Sequence, residues 1–283
     1  MTTKHRTQRT AHLLVTCCIE PTRYDVLKQV TAALKNEQET KNIDITHNLW
    51  VIDNASSEEG SREFIKENYS RVFQAKENYG FWSAINWFLR YLRENHEGEY
   101  DFIHIIESDH IFFALEKLIT CEDALEKYPQ IGSIRCQEFV ASLSHLYDKD
   151  RQSAESRSYA WVRQIDWDGT RIKFDLIDHE MQLYQSKLVP LLHSVNRLDG
   201  MYHAFEKLEK HERLAEQDFQ RYYREKYPLS GFLDGGLFHT KLSWQTDALS
   251  ASWSPEQRRN SVGYRDTRHD KIVPLTEMKV TLE

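Results

Sequence analysis

The segment AHLLVTCCI, residues 11–19, is apolar almost without a break. A strand with one wet face alternates apolar and polar side chains, so a continuous run of this kind predicts a strand covered on both faces. The next segment, PTRYDVLKQVTAALKN, carries Val26, Leu27, Val30 and Leu34 on a helical stripe, with Thr22 and Asp25 as a capping pair at its start. The alternation then recurs. NLWVIDN reads as a strand, SSEEGSREFIKENY as a helix opened by serine, and RVFQA as a short strand. SAINWFLRYLREN places Ile85, Phe88, Leu89 and Leu92 at i, i+3, i+4 and i+7 of a helix. FIHIIE, ALEKLITCEDALEKY and IGSIRCQEF continue as strand, helix and strand. Strand and helix alternating roughly every fifteen residues predict βαβ units, hence an α/β fold with a mostly parallel sheet flanked by helices. In such a sheet, ligands sit at the carboxyl ends of the strands.

The chain's 283 residues suffice for one large domain, or for one domain with an appended subdomain. Past about residue 150 the pattern becomes that of an α+β region. SYAWVRQI and TRIKFDLI alternate apolar and polar around DWDG, which predicts a hairpin turning at Asp166 to Gly169. GMYHAFEKLEKHERLAEQDFQRYYREKYP reads as one long helix or a broken pair, ended by Pro228. GFLDGGLFHTKLSW reads as loop and short strand. The expected organisation is a flexible basic tail at 1–10, an α/β half at 11–150, a second half at 151–260 and a tail at 261–283.

A formal net charge of -7 argues against a nucleic-acid binder that works through a general basic field. The basic runs KHRTQR and RRNSVGYRDTRHDK read as solvated tails, or as contacts to an anionic ligand or the periphery of a membrane. No apolar stretch approaches the roughly 20 residues that span a bilayer, and the N-terminal residues show no signal-peptide core. Cys17, Cys18, Cys121 and Cys136 have no C-x-x-C spacing, which argues against zinc. Cys17 and Cys18, adjacent in an expected strand, point to opposite faces, and buried free thiols fit a cytoplasmic protein.

Polar residues gather at the expected strand ends. These are Glu20 and Thr22 after the first strand, Asp53 and Asn54 after the second, KENYGFWSAIN before the best helix, and Glu107-Ser108-Asp109 after the fourth strand. A hard divalent cation takes oxygen ligands, and Mg²⁺ is often held by one or two carboxylates plus substrate phosphates, so Asp109 beside Glu107 has the chemistry of a half-site. Neither a P-loop nor a G-x-G-x-x-G fingerprint is present in the sequence.

With VIDNASS, ENYGFWSAIN and IIESD in that order, the chain resembles nucleotide-sugar glycosyltransferases of the GT-A fold, most like glycosyltransferase family 2. The resemblance covers roughly residues 11–113, and more loosely extends to about 260. It implies transfer of a sugar from a nucleotide-sugar to a hydroxyl of a glycan or glycolipid, with inversion, assisted by Mn²⁺ or Mg²⁺. It assigns residues 11–150 to nucleotide-sugar binding and 151–260 to the acceptor side. Glu20, Thr22, Asp53, Asn78, Gly80, Trp82, Asn86, Glu107 and Ser108 fall in the nucleotide-binding segments, with Asp53 at the base. Asp109 takes the metal role, and Glu107 departs from the family's usual first aspartate. His239, in DGGLFHTKLSW, is a second metal candidate beside its reading as a structural histidine.

The family's general base lies near a helix start in the second half, where this chain has Glu216 and Asp218 two residues apart. Residues so spaced point about 200° apart on a helix, so both cannot face one site. Asp218, with Leu214 and Tyr222 at i−4 and i+4, borders the apolar side and is the favoured base, while a plain ion pair with Arg221 is the competing reading. Lys241 and Arg259 are diphosphate candidates, and Trp82, Trp161 and Trp167 are candidates for stacking on sugar rings. Two other classes stay open. A sugar-nucleotidyltransferase would carry a Gly-rich basic loop where this chain has CCIEPTRYD, and a non-catalytic nucleotide- or glycan-binding module would tolerate both acidic departures.

Overall fold

Both faces of the central strands are apolar because helices cover both. The computed structural model describes residues 5–6, 9–108, 110–112, 115–137, 175–187, 194–211, 214, 216–234, 237–239 and 272–282. In chain order the strands are β1 (His5–Arg6), β2 (Thr10–Thr16), β3 (Ile43–Asp44), β4 (Leu49–Asp53), β5 (Arg71–Ala75), β6 (Phe102–Glu107), β7 (His110–Phe112), β8 (Ile131–Gln137), β9 (Asp175–Asp178), β10 (Leu183–Ser186), β11 (Ser194–Arg197), β12 (Leu229–Asp234), β13 (Leu237–His239) and β14 (Met278–Leu282). The helices are α1 (Pro21–Thr40), α2 (Ser61–Asn68), α3 (Phe81–Asn95), α4 (Glu116–Lys127), α5 (Leu198–Lys210) and α6 (Glu216–Lys226).

The principal sheet has the order β14-β5-β4-β2-β6-β11-β8-β12-β10-β9. β5, β4, β2 and β6 are mutually parallel. β11 lies antiparallel between β6 and β8, which restores the common direction in β8 and in β12 beside it. Most strands therefore point one way, and the carboxyl ends of β2, β4, β5, β6, β8 and β12 share one rim. The fold is α/β, with a mostly parallel sheet flanked by helices.

Alternation along the strands sorts the core into two layers. Leu13, Val15, Trp50, Ile52, Ile103 and Ile105 pack with Trp87, Phe88 and Leu89 of α3 and with the apolar faces of α5 and α6. Leu14, Val51, Phe102 and Ile106 pack with Leu27 of α1, Ile65 of α2 and Leu118 and Leu125 of α4. Each such fully buried side chain contributes about 1.5–3 kcal/mol, which is why the helical stripes read from sequence end up facing the sheet.

Several boundaries differ from expectation. β2 stops at Thr16, so Cys17 and Cys18 lie in the following turn rather than in a strand. α1 starts at Pro21, whose fixed φ suits the first helical position, with Glu20 as an extended N-cap and Thr22 inside the first turn, so the Thr22/Asp25 cap is not formed. The expected long helix is a broken pair, α5 and α6. β11 was not foreseen as a sheet strand, and β12 starts two residues before the segment in which a short strand was expected. Part of the expected tail, β14, instead pairs antiparallel with β5 along the sheet edge. The expected hairpin around DWDG lies outside the described residues except for β9, as do Trp161, Trp167, Lys241 and Arg259.

Two histidines face each other inside the second layer. His12 of β2 and His104 of β6 are in register, fully buried, with their Nδ1 atoms 3.2 Å apart. Burial lowers the His104 pKa to about 3, and burial, His104 and His47 together push His12 well below its ordinary value. Both are neutral in the fold, whereas the unfolded chain binds protons near pH 6.5. Their contribution is whole above that pH and is lost as pH falls from about 6.5 toward the folded values. Urea titrations between pH 7 and 4.5 should therefore show stability falling by about 1.4 kcal/mol per pH unit for each histidine. His104→Gln should flatten that slope, and an unchanged slope would place the acid sensitivity elsewhere.

Candidate functional site

Asp53 ends β4 and is 1% exposed. Its Oδ1 accepts the Ser56 N–H at 2.8 Å. Its Oδ2 is buried and has no hydrogen-bond partner among the described residues, and it forms an ion pair with Arg62, whose Nε is 3.7 Å away. A buried carboxylate oxygen without a donor costs about 1–3 kcal/mol or more, so a protein retains one where something else donates to it.

Asn54, the next residue, joins three strand ends. Its N–H donates to the Thr16 carbonyl at the end of β2 at 2.8 Å. Its Oδ1 accepts the Tyr79 N–H at 3.0 Å, and its Nδ2 donates to Asn78 Oδ1 at 3.0 Å and to the Gly80 carbonyl at 3.3 Å. Asn78 Oδ1 also accepts the Gly80 N–H at 2.9 Å, and Asn78 Nδ2 donates to Cys17 Sγ at 3.6 Å. Gly80 has φ 89° and ψ 162°, a region open essentially to glycine alone. It stands at the N-cap of α3, which has no side-chain cap and no acidic residue in its first turn. Helix starts of this kind favour anions such as phosphate. Beside them, burial pushes the Cys17 thiol up to about 11, so it stays protonated. Ser56 Oγ accepts the Cys18 N–H at 2.8 Å and closes the β2 side of the rim.

The structure thus joins Asn78 and Gly80 to Asn54, the residue after Asp53, in one network, and Glu20 and Thr22 stand at the start of α1. Glu107 closes β6, its backbone opposite Val15, and Ser108 follows in a turn. Asp109 lies outside the described residues. β7 and β13 pair antiparallel with His239 opposite His110, so the register sets His239 across from the residue that follows Asp109. Among the described residues no group of three or more His, Cys, Asp or Glu is spaced to hold a metal.

Trp82 and Asn86 go elsewhere. Trp82 is 7% exposed, with ring centroids 5.5 Å from Phe219 and 6.2 Å from Phe205, so it anchors α3 to α6 and α5 instead of offering an open face to a sugar. Asn86 is buried, and its Nδ2 donates to Glu209 Oε1 at 2.8 Å, tying α3 to α5. Helix stripe and burial settle both positions, and proximity in sequence to Gly80 was a poor guide.

α5 climbs toward the rim from antiparallel β11, and α6 descends from it into β12, so the start of α6 lies on the rim side. Asp218 is in its first turn, with its side chain 20% exposed and Oδ1 3.1 Å from Arg221 Nη2. It lines a cleft of about 310 Å³ with Leu208, His211, Arg221 and Tyr222. Leu214 and Tyr222 are buried, so Asp218 borders the apolar side as the spacing implied. Glu216 is the first residue of α6. From sequence, Asn54 stands out only as a polar strand-end residue, and Ser56 and Tyr79 carry no assigned role. The signal available was two consecutive polar residues, Asp53-Asn54, at the end of a buried strand, where only one can follow the strand's outward direction.

Asn54→Ala would orphan the Tyr79 N–H and loosen Asn78, at about 1–3 kcal/mol for each buried group left unpaired. Urea unfolding should show that loss. A change within about 0.5 kcal/mol, ordinary for surface substitutions, would mean that the network is not needed to hold the rim.

A scan against protein-family models matches none, and a search of curated proteins finds no match. Among solved structures the chain is similar to S. aureus TarS. Residues 1–349 of that protein match at 10% identity and TM-score 0.45, over 89% of this chain and 68% of that one. The same fragment in complex with UDP-GlcNAc matches at 12% identity and TM-score 0.46, over 89% and 64%. A longer TarS structure matches at 10% identity and TM-score 0.46, over 89% of this chain and 42% of that one.

Proposed function

We propose that this chain is a nucleotide-sugar glycosyltransferase of the GT-A type, moving a sugar from its nucleotide carrier to a hydroxyl of a glycan or glycolipid. The observation that carries this reading is the buried Oδ2 of Asp53, which accepts no hydrogen bond among the described residues and has the Arg62 guanidinium 3.7 Å away, next to Asn54 and its bonds to Asn78 and Gly80. A nucleobase N–H is the donor that oxygen lacks, and the start of α3 favours the diphosphate beside it. Asp109 with His239 would hold Mn²⁺ or Mg²⁺, a reading supported by the His239–His110 register. When bound, the ion would offset charge on the departing diphosphate.

In this reading the acceptor hydroxyl oxygen attacks the sugar's anomeric carbon as the bond to the diphosphate breaks. The hydroxyl proton passes to Asp218, and one inversion results. The cleft around Asp218 is the acceptor's place, and Arg221 holds the carboxylate ready. The Asp218–Arg221 pair also favours a second reading, a non-catalytic nucleotide-binding protein in which this carboxylate is only a helix ion pair.

Calorimetric titration with UDP, GDP, CDP and dTDP, with and without Mn²⁺, tests the donor site. One nucleotide should bind, its affinity should rise with metal in wild type but not in Asp109→Ala, and Asp53→Ala should weaken it about tenfold or more. Absence of binding by all four removes the transferase reading. Asp218→Asn should lower transfer about 10²–10⁴-fold with nucleotide affinity unchanged. Wild-type rates in that variant would move the base to Glu216, and binding without turnover in the wild type on any acceptor would favour the non-catalytic reading.

A further inference from the structure

Residues 272–282 run along the outer side of β5 and α3, the two elements that the 76–80 loop connects. β14 pairs with β5 from Met278 opposite Ala75 to Leu282 opposite Arg71. Just before it, the Leu275 carbonyl accepts from Trp87 Nε1 at 3.3 Å, and the Val273 carbonyl accepts from Arg90 Nη1 at 2.9 Å. Val273 and Met278 are buried in the core layer that α3 fills. Glu277 is fixed between these anchors. Its Oε2 accepts from the Tyr79 hydroxyl at 3.2 Å and from Lys76 Nζ at 3.0 Å.

Those two partners are loop residues. Tyr79 is buried, and its N–H is the one that Asn54 Oδ1 accepts. Asn54 thus grips the loop from the inside, through Asn78, Tyr79 and Gly80, and Glu277 grips it from the outside, through Lys76 and Tyr79. A five-residue connection with no ladder of its own needs both restraints to keep one geometry, since each unrestrained backbone residue is worth about 1–2 kcal/mol of conformational entropy. Lys76, and then Tyr79, also hold the Glu277 carboxyl below its ordinary range, so it remains an acceptor at neutral pH.

The geometry points to Glu277 as a positioning residue for the nucleotide site: through Tyr79 and Lys76 it sets the loop that presents Asn78 and Gly80, which makes the 272–282 strand part of the binding machinery. This rests on the nucleotide-site reading above. The test is titration of the full chain with UDP, GDP, CDP and dTDP in Mn²⁺, using wild type, Tyr79→Phe, Glu277→Ala, Glu277→Gln and the Tyr79→Phe/Glu277→Ala double variant. Tyr79→Phe and Glu277→Ala should each weaken binding of the preferred nucleotide about fivefold to tenfold. The double variant should be no weaker than Glu277→Ala alone, because that change already removes the Tyr79 bond that Tyr79→Phe removes. Glu277→Gln keeps an acceptor for Tyr79 and should restore most of the affinity. Tyr79→Phe keeps the buried ring, so it carries the test if Glu277→Ala does not fold. Unchanged affinity in the single variants, or losses that add in the double variant, overturns this inference and leaves the nucleotide site standing. A wild type that binds none of the four nucleotides overturns both.

Discussion

β2 hydrogen-bonds in parallel to β4 on one side and to β6 on the other, and this double pairing sets the height of everything on the rim. Thr16 is level with Asp53, and Val15 is level with Glu107. Neighbouring strands lie about 4.8 Å apart, so the ends of β4 and β6 stand about 10 Å apart across β2. A slip of one residue in either pairing would turn Asp53 or the apolar residues of β6 to the wrong face, and the two-layered core forbids the slip.

The rim is built from polar groups that the sheet cannot pair. At the end of a parallel strand the ladder stops, and the next backbone groups need partners from turns. Asn54 supplies them for β2 and for the loop before α3, and Ser56 supplies one for Cys18. Among the described residues, Asp53 Oδ2 is left with no hydrogen-bond donor and only the Arg62 guanidinium 3.7 Å away.

Much of the first half was legible. RVFQA and FIHIIE match β5 and β6 residue for residue, because continuous apolar runs bounded by turn residues leave little ambiguity. The second half was not. β11 is SVNR, and its Ser194 and Asn196 are buried through contacts that only the neighbouring strands supply. β12 falls in a Gly-rich segment that reads as loop and short strand, but Gly231 is there for packing: a Cβ would meet Ile134 and Leu183 side chains at 3.0 Å. β14 pairs with residues two hundred positions earlier in the chain, a contact that no local pattern encodes. At the site, Asp53, Asn78 and Gly80 were readable as strand-end and turn residues. The burial of Trp82 rests on Phe205 and Phe219, far along the chain, and has no local signal.

The place of β11 has a consequence for synthesis. β6 pairs with β2 on one edge, and on the other it waits for β11, whose residues follow only after β7, α4, β8, β9 and β10. A nascent chain that has emerged only through β6 can assemble four parallel strands, yet it presents FIHIIE as a long apolar edge with open backbone donors and acceptors. Such an edge is a template for pairing with another chain. The short polar strand SVNR pairs with the first half of that edge, Phe102 to His104, so its arrival removes the open backbone groups there.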